Sequence, residues 1–587
     1  VGVAGVMVSN GREVVLTDAD GTYAIPAYDD MNLFVTKPAG HTTPVDDYMV
    51  PQFAYIHKIE GSPPLRFGGI AATGPLPEAI NFPLIADGSG DQFNCLIFGD
   101  AQTYTNREIS YVRETAGNLL ATRDNSNTEC LIFAGDVMGD DLSLYPRFKD
   151  IISVGGVPQY FVGGNHDVDF DAPTDEHSFD TFRREWGPEY YSFDVGNVHF
   201  VGLDNVRYPC NGVDPHPFCS PDGRETYNGV ISDRQLEWLA NDLANVPMEK
   251  LIVMTAHIPF QTFTDNTAAK HQTDNLYKLA AVLEGRQVLA LAGHTHTTEN
   301  IEKGESFEGW EDNTGLAESP FHQIVTGGLS GSWWAGDLNE QGVPHGTQRL
   351  GSPRGYYQLD FDGSGYVDTY KTFHTDEDVQ MHASFNTPRY RAWAERLIAY
   401  RDLYQRDFSQ TPPVNRRDLG DLNMITRGDL EDGTWLVVNV WNGSDRNIVS
   451  ASINDGAAMQ AARTQDGDGE AKLRGIDYSD PLAIYKQASQ SSVATVSVDG
   501  GDATKGFTTW QSVPWAGIPG PFQRWMLTDN SHHLWRVDLP SNLPAGAHKL
   551  EVRTTDRYGR TFTLTQTFEV VEELPDFDWI ESHWEDG

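Results

Sequence analysis

Residues 95–100 read CLIFGD, an apolar run that stops at a Gly-Asp corner, and five later stretches repeat the design. They are CLIFAGD (130–136), QYFVGGN (159–165), VHFVGLD (198–204), LIVMTAH (251–257) and VLALAGH (288–294). Short apolar runs, each closed by a polar or glycine-containing corner, are the pattern of strands buried on both faces. Helical patterns lie between some of them, such as REISYVRETAGNLLATR (107–123) and SDRQLEWLANDLANV (232–246), the latter with Ser232 as N-cap. Strands alternating with helices predict an α/β sheet, and polar residues at the carboxyl ends of such strands mark where ligands bind.

Outward from this core, which is expected to span 90–378, the chain changes character. Residues 1–85 read as short strands and turns. GREVVLTDADGTYAIPAY (11–28) predicts a hairpin of two β runs around Asp-Gly, and the Pro/Gly-rich stretch from Gly61 to Pro83 reads as a linker. Residues 379–587 open with a helical lead-in, TPRYRAWAERLIAYRDLYQ (387–405). Alternating runs follow: WLVVNVWN (435–442), ATVSVDG (494–500), LWRVDL (534–539), HKLEVRTTD (548–556) and TFTLTQTFEV (561–570). They predict a closing β-sandwich, with the acidic tail ELPDFDWIESHWEDG (573–587) as a loosely held end.

At 587 residues the chain exceeds a single core. A net charge of −42 excludes a nucleic-acid-binding surface, which needs a basic footprint; it suits a solubilising acidic surface or a salty habitat. No apolar run reaches the roughly 18 residues of a membrane span. The chain opens at Val1 without Met or a charged-then-apolar leader, so the expectation is export with the leader removed, or a trimmed start. Of four cysteines, Cys210 and Cys219 lie in a Pro/Gly-rich loop, YPCNGVDPHPFCSPDG (208–223), and are expected to be bridged. Cys95 and Cys130 open apolar strands and are expected to be buried free thiols.

Five corners carry chemistry: Asp100 in FGDAQ, Asp136 in AGDVMGD, Asn165-His166-Asp167 in GGNHD, His257 in TAHIP, and His294 with His296 in AGHTH. Their oxygen and nitrogen donors, with no thiolate, suit divalent ions such as Mn, Fe or Zn. In this order the motifs closely resemble the calcineurin-like metallophosphoesterases over roughly 94–375. GPEYYSFDVGNVHFVGLDN (187–205), QLEWLANDL (235–243) and GSPRGYYQLDFDG (351–363) fit as well. With its flanks the chain is similar to a bacterial three-domain subgroup with N- and C-terminal β domains, and residues 1–85 resemble the carboxypeptidase regulatory-like β-sandwich.

The resemblance implies an α/β metallophosphoesterase sandwich core between two β-sandwich domains, and two divalent metals. Asp136 would bridge them, Asp100 and His296 would bind the first, and Asn165, His257 and His294 the second. His166, with Asp167 beside it, would be catalytic, as general acid or charge stabiliser. Such a centre clamps phosphoryl oxygens and makes hydroxide from a bridging water. Two positions depart from the family. Gln102 stands where it usually has a His ligand, so this place holds a weaker carboxamide donor or none. Gly139 replaces the usual Asp or Asn of the second corner, with Asp140 next.

Asp360-Phe-Asp362-Gly begins like a calcium loop, but Lys371 occupies the place of its bidentate Glu, so a β-turn is expected. GGLSGSWWAGD (327–337), with Trp333 and Trp334, reads as the mouth of the site or as a packed loop. No GxSxG elbow or P-loop is present. These features predict a secreted or periplasmic hydrolase of a small-molecule, lipid or glycan phosphomonoester or phosphodiester. The alternatives are a two-metal hydrolase of other bonds, or an envelope- or glycan-binding protein with a degenerate site.

Overall fold

The strand Gln92–Phe98 shows why the core forms. Phe93, Cys95 and Ile97 enter one apolar cluster, while Leu96 and Phe98 enter another on the opposite face. With a side-chain period of two, a continuous apolar run can satisfy both faces only between two layers. The computed structural model describes residues 1–209, 226–334, 338–373, 375–376, 378–404, 416–492 and 529–577.

Two mixed sheets face each other in the centre. The first runs in the order Gly365–Thr372, Gly355–Asp362, Gln92–Phe98, Thr128–Phe133, Gln159–Phe161, and its last three strands are parallel. The second runs Tyr191–Val195, Val198–Gly202, Leu251–Thr255, Val288–Ala292, His322–Thr326, Thr298–Ile301. Its middle four strands are parallel. All six apolar runs are therefore strands. Phe93 packs on Phe200 and Phe361 between the sheets. The outer face of the first sheet takes Ile109 and Val112 of helix Asn106–Val112, and Phe148 and Ile152 of helix Tyr145–Ser153. The second is covered by Asp233–Leu243, capped as expected by Ser232 accepting from the Gln235 N–H, and by Leu276–Val282. The architecture is an α/β sandwich of two mixed sheets, with β-rich regions before and after it in the chain.

Cys95 and Cys130 correct the expectation of free thiols: they form a disulfide. Their strands are parallel neighbours that place the two residues directly opposite, with Cα atoms 4.8 Å apart, within disulfide reach. The expected Cys210–Cys219 bridge lies outside the described residues, as do the run 494–500 and the tail from 578. Gly355–Asp362 and Gly365–Thr372 form a hairpin with Asp362 opposite Gly365, so the calcium-like segment is the tight turn expected.

The N-terminal sheet runs Val14–Leu16, Met7–Ser9, Met31–Val35, Ala54–His57. Its hairpin differs from the expected one. Val14–Leu16 pairs backwards with Met7–Ser9, and no strand follows the turn at Asp18–Gly21. That later run ends at Pro26, which has no N–H for a ladder, and its Tyr23 hydroxyl donates to the Ile80 carbonyl instead. Lys58 and Arg183 tie this region to the core through Asp30 and Asp180.

Beyond residue 380 two more sheets enclose a third core. One runs Met381–Asn386, Trp435–Val440, Leu534–Asp538, Ala462–Arg463; the other runs Met424–Thr426, Thr561–Val571, Gly546–Thr555, Ile448–Ile453, Met459–Gln460. Phe385, Leu436, Val438 and Trp535 meet Val449, Leu550, Val552 and Phe568 between them. The lead-in is the helix Pro388–Tyr404. This region grips the core: Lys472 Nζ donates to the carbonyls of Phe263 and Thr264 at 3.1 and 2.7 Å, and Arg463 meets Glu305 at 2.8 Å. No helix among the described residues is long and apolar enough to cross a membrane.

Candidate metal centre

Five parallel strands, three in one sheet and two in the other, end on the same side. Asp100, Asp136, Asn165, His257, His294 and His296 sit within a few residues of those ends. The corners are strained. Among the described residues ten non-glycines have positive φ, and six belong here: Asp100, Gln102, Asp136, Asp140, His294 and His296. Such backbone persists only where the surroundings over-determine it, and it concentrates at functional sites. The glycines of the motifs permit close approach. A Cβ on Gly164 would lie 2.2 Å from the Asp136 amide nitrogen, and one on Gly135 would lie 2.3 Å from the His257 ring.

Hydrogen bonds to backbone carbonyls set the imidazoles. His257 Nδ1 donates to the Ala134 carbonyl at 2.8 Å, which leaves Nε2 facing Asp136 Oδ2 at 3.2 Å and Asn165 Oδ1 at 3.1 Å. His296 Nδ1 donates to the Gly331 carbonyl at 2.9 Å, and its Nε2 faces Asp100 Oδ1 at 3.6 Å. The His294 N–H donates to both Asp100 oxygens at 2.9 and 3.0 Å, and the His166 N–H to Asp136 Oδ1 at 2.8 Å. Ligand atoms of Asp136, His257 and His294 all lie within 4.8 Å of one another. Gln102 Oε1 and His294 Nδ1 are buried without a hydrogen-bond partner.

The electrostatics of this cluster conflict. Burial drives the Asp100 carboxyl well above its usual range despite His257 nearby. For Asp136 burial pushes the same way, but the charges of His257 and His166 outweigh it and bring the carboxyl down to about 2. His257 and His166 are both pushed up to about 9: burial opposes this, and Asp136 overcomes it. Burial holds His296 near 4 and His294 well below the ordinary value, the latter helped by His271 and His257. Buried carboxylates and imidazoles aimed at one another in this way are relieved when cations enter and protons leave. The oxygen and nitrogen donors, the carbonyl-anchored rings and the two orphaned atoms fit divalent metals of the Mn, Fe or Zn kind.

Above the donors opens a cavity of about 390 Å³ lined by Gln102, Asp136, Asn165, His166, His294 and His296 among others. Asp100 and His257 lie beneath it, fully buried. His166 carries its Nδ1 2.5 Å from Asp140 Oδ1. Gly139 makes room for the Tyr104 ring, since a Cβ there would lie 2.7 Å from it, and that ring meets His166 edge-on at 6.0 Å. Asp167, expected to be catalytic beside His166, does not line the cavity. It is fully buried outside the cavity lining, and its carboxylate accepts from the N–H groups of Val137, Met138 and Gly164, each at 3.0 Å, and from the Tyr145 hydroxyl at 2.9 Å. That carboxylate staples the Asp136 corner to the Asn165 corner. The two tryptophans divide their expected roles: Trp333 lines the cavity and stacks on His296 at 4.8 Å, whereas Trp334 is buried and donates to the Ala101 carbonyl.

Five lining residues outside the quoted motifs were not foreseen: Tyr227, Asp265, Lys270, His271 and Arg349. Arg349 is spent on its surroundings, with donors to Asp265, Asp529 and the Thr295 carbonyl. His271 Nδ1 lies 2.6 Å from His294 Nε2. All five sit off the six strand corners, where no spacing points to them.

Family models match most of the chain. Residues 1–65 match the N terminal of Calcineurin-like phosphoesterase, 94–298 the Calcineurin-like phosphoesterase, and 323–499 with 499–562 the C terminal of Calcineurin-like phosphoesterase. A probable glycerophosphodiester phosphodiesterase from Arcobacter nitrofigilis is 27% identical over 201 residues, which are 34% of this chain and 65% of the relative. The match thus spans just under two thirds of that relative. Among solved structures, a dimetal phosphatase from Danio rerio aligns at 15% identity and TM-score 0.32, covering 48% of this chain and 96% of its own. A purple acid phosphatase from yellow lupin (Lupinus luteus) seeds aligns at 14% and 0.30, covering 63% of this chain and 67% of its own.

Proposed function

The chain belongs to the calcineurin-like phosphoesterase family, and from that membership we propose that it hydrolyses a phosphomonoester or phosphodiester with two divalent metals, outside the cytoplasm. The observation that carries this is the convergence of nitrogen and oxygen donors from five strand ends beneath one cavity, two of them buried and unpaired. Asp100 and His296, with Gln102, would hold one metal; Asn165, His257 and His294 would hold the other, with Asp136 between. When bound, two such metals neutralise phosphoryl oxygens and lower the pKa of coordinated water.

The protein's own groups do the rest. Asp140 accepts the Nδ1–H of His166 and so leaves Nε2 as the nitrogen that can give a proton to the leaving oxygen. The N–H of His166 holds one Asp136 oxygen in place, and Asp167 holds the backbone on which both corners turn. A binding-only, degenerate site has little use for this arrangement. The relative from Arcobacter nitrofigilis puts phosphodiesters, glycerophosphodiesters included, first among substrates to try. The Cys95–Cys130 disulfide supports an oxidising compartment.

The test is turnover of chromogenic mono- and diesters by protein loaded with Mn or Zn, beside a metal-stripped control. Turnover only in the loaded protein, with a preference resolved across a panel of nucleotides, sugar phosphates and glycerophosphodiesters, is expected. No turnover of any ester under any metal would sink the reading. Recovery of the native protein only from the cytoplasmic fraction would remove the export part alone.

A further inference from the structure

His271 ends a short turn, Ala269–His271, that the backbone fixes tightly. Its N–H donates to the Ala268 carbonyl, the Ala268 N–H donates to the Asp265 carbonyl, and the Thr273 N–H returns to Pro259. The turn delivers the His271 ring to the cavity wall, where Nδ1 comes within 2.6 Å of His294 Nε2 with the two ring planes 37° apart. His294 is enclosed on its other sides by His257, centroids 5.0 Å apart, and by the edge of Tyr227 at 5.6 Å.

Two nitrogens at that distance share one proton, and only one sharing suits the rest of the ring. If His271 donates, the proton of His294 must sit on Nδ1, which is buried with no acceptor. A buried donor left without an acceptor is disfavoured. If His294 donates from Nε2, its Nδ1 keeps a bare lone pair that can take an ion, and a ring nitrogen of His294 lies within 4.8 Å of ligand atoms of Asp136 and His257.

Resting on the dimetal reading above, we propose that His271 is a positioning residue for the metal centre. By accepting the Nε2–H of His294 it selects the tautomer and ring angle that present Nδ1 to a divalent ion. Partners behind metal-binding histidines commonly govern about 10–100-fold in metal affinity.

The experiment compares metal-stripped wild type, His271→Asn and His271→Phe in calorimetric titrations with Zn²⁺ alone and Mn²⁺ alone. Asparagine keeps an acceptor oxygen near the Nδ1 position; phenylalanine keeps the ring and loses the acceptor. The expected result is a loss of about 10–100-fold at one of two sites in His271→Phe, little change in His271→Asn, and an undisturbed second site. Wild-type affinity in His271→Phe, or equal loss in both variants, would overturn the proposal. Should His271→Phe fail to fold, ¹⁵N chemical shifts of the His294 ring in metal-free wild type decide: a proton on Nε2 supports the role, and a proton on Nδ1 ends it. A wild type that binds neither metal would instead remove the dimetal reading on which this stands.

Discussion

Asp140 Oδ1 sits 2.5 Å from Nδ1 of His166, one residue beyond the position where the resembling family usually carries an Asp or Asn. The shift is possible because Asp140 takes a positive φ of 78° while its N–H donates to the His166 carbonyl. The family's usual residue is replaced by Gly139, and here the neighbouring Asp140 holds the imidazole.

Removing that carboxylate should be visible in the pH profile. His166 is raised to about 9 with Asp140 among the groups that raise it, and a general acid works only while protonated. Asp140→Ala therefore lowers the His166 pKa and moves the alkaline limb of kcat/KM to lower pH. A profile recorded on a poor leaving group, with metals saturating, checks this. An unmoved limb would assign that limb to another group.

His166→Ala should cut kcat by about 10²–10⁴ with metal content unchanged, the range for a lost general acid. The residue touches the metal donors only through its backbone N–H to Asp136, which alanine keeps. The loss should shrink for esters with good leaving groups, which need less protonation. Equal loss on good and poor leaving groups would assign His166 to charge stabilisation, and loss of metal would make it a ligand.

How much of this could be read in advance depended on how local the cause was. The six strands were legible because apolar runs bounded by glycine admit few other buried structures. The corners were legible because Asp, Asn and His at strand ends are costly without a ligand. Pairing was not legible where it depended on which strands become neighbours: nothing near Cys95 says that Cys130 will lie opposite it. Val14–Leu16 likewise chose the partner before it over the one after. Asp167 is named with His166 on the strength of the resemblance, and only the folded chain shows the four donors that hold its carboxylate. His271 belongs to a turn with no periodicity at all, and only the folded chain puts it against His294.

Away from the centre, buried His199 predicts how stability falls with pH. It bridges Asp194 and Asp242 at 2.7 Å each; burial opposes its charge, but Asp242 and Asp194 prevail and raise it to about 9 from an ordinary 6.5. The folded chain thus holds a proton that the unfolded chain releases near 6.5, so this contribution is complete below that pH and is lost as pH climbs through about 9. A shift of that size corresponds to about 3 kcal/mol. Denaturant midpoints of wild type and His199→Gln from pH 6 to 10 are the check. The wild type should lose stability across the window, and the variant, weaker throughout, should be flatter there. Parallel curves would place the titration elsewhere.

Gln102→His should tighten the metal held with Asp100 and His296. Gln102 is buried in the cavity wall with its Oε1 unpaired, and its backbone N–H is already committed to the Asp136 carbonyl at 2.7 Å. Its φ of 38° is one that histidine adopts more readily than most residues. An imidazole there replaces a neutral amide oxygen by a stronger nitrogen donor, which favours Zn over Mn or Mg. Faster turnover does not follow, because a more tightly held metal lowers the nucleophilicity of the water it activates. Dialysis of both proteins against graded chelator, with metal content and activity measured at each step, gives the answer. The variant should keep its metals at chelator concentrations that strip one from the wild type. Equal retention would mean that the Gln102 oxygen is already an adequate ligand or that it stands clear of the metal. A metal-soaked structure separates those two, since a true ligand lies near 2.0–2.2 Å.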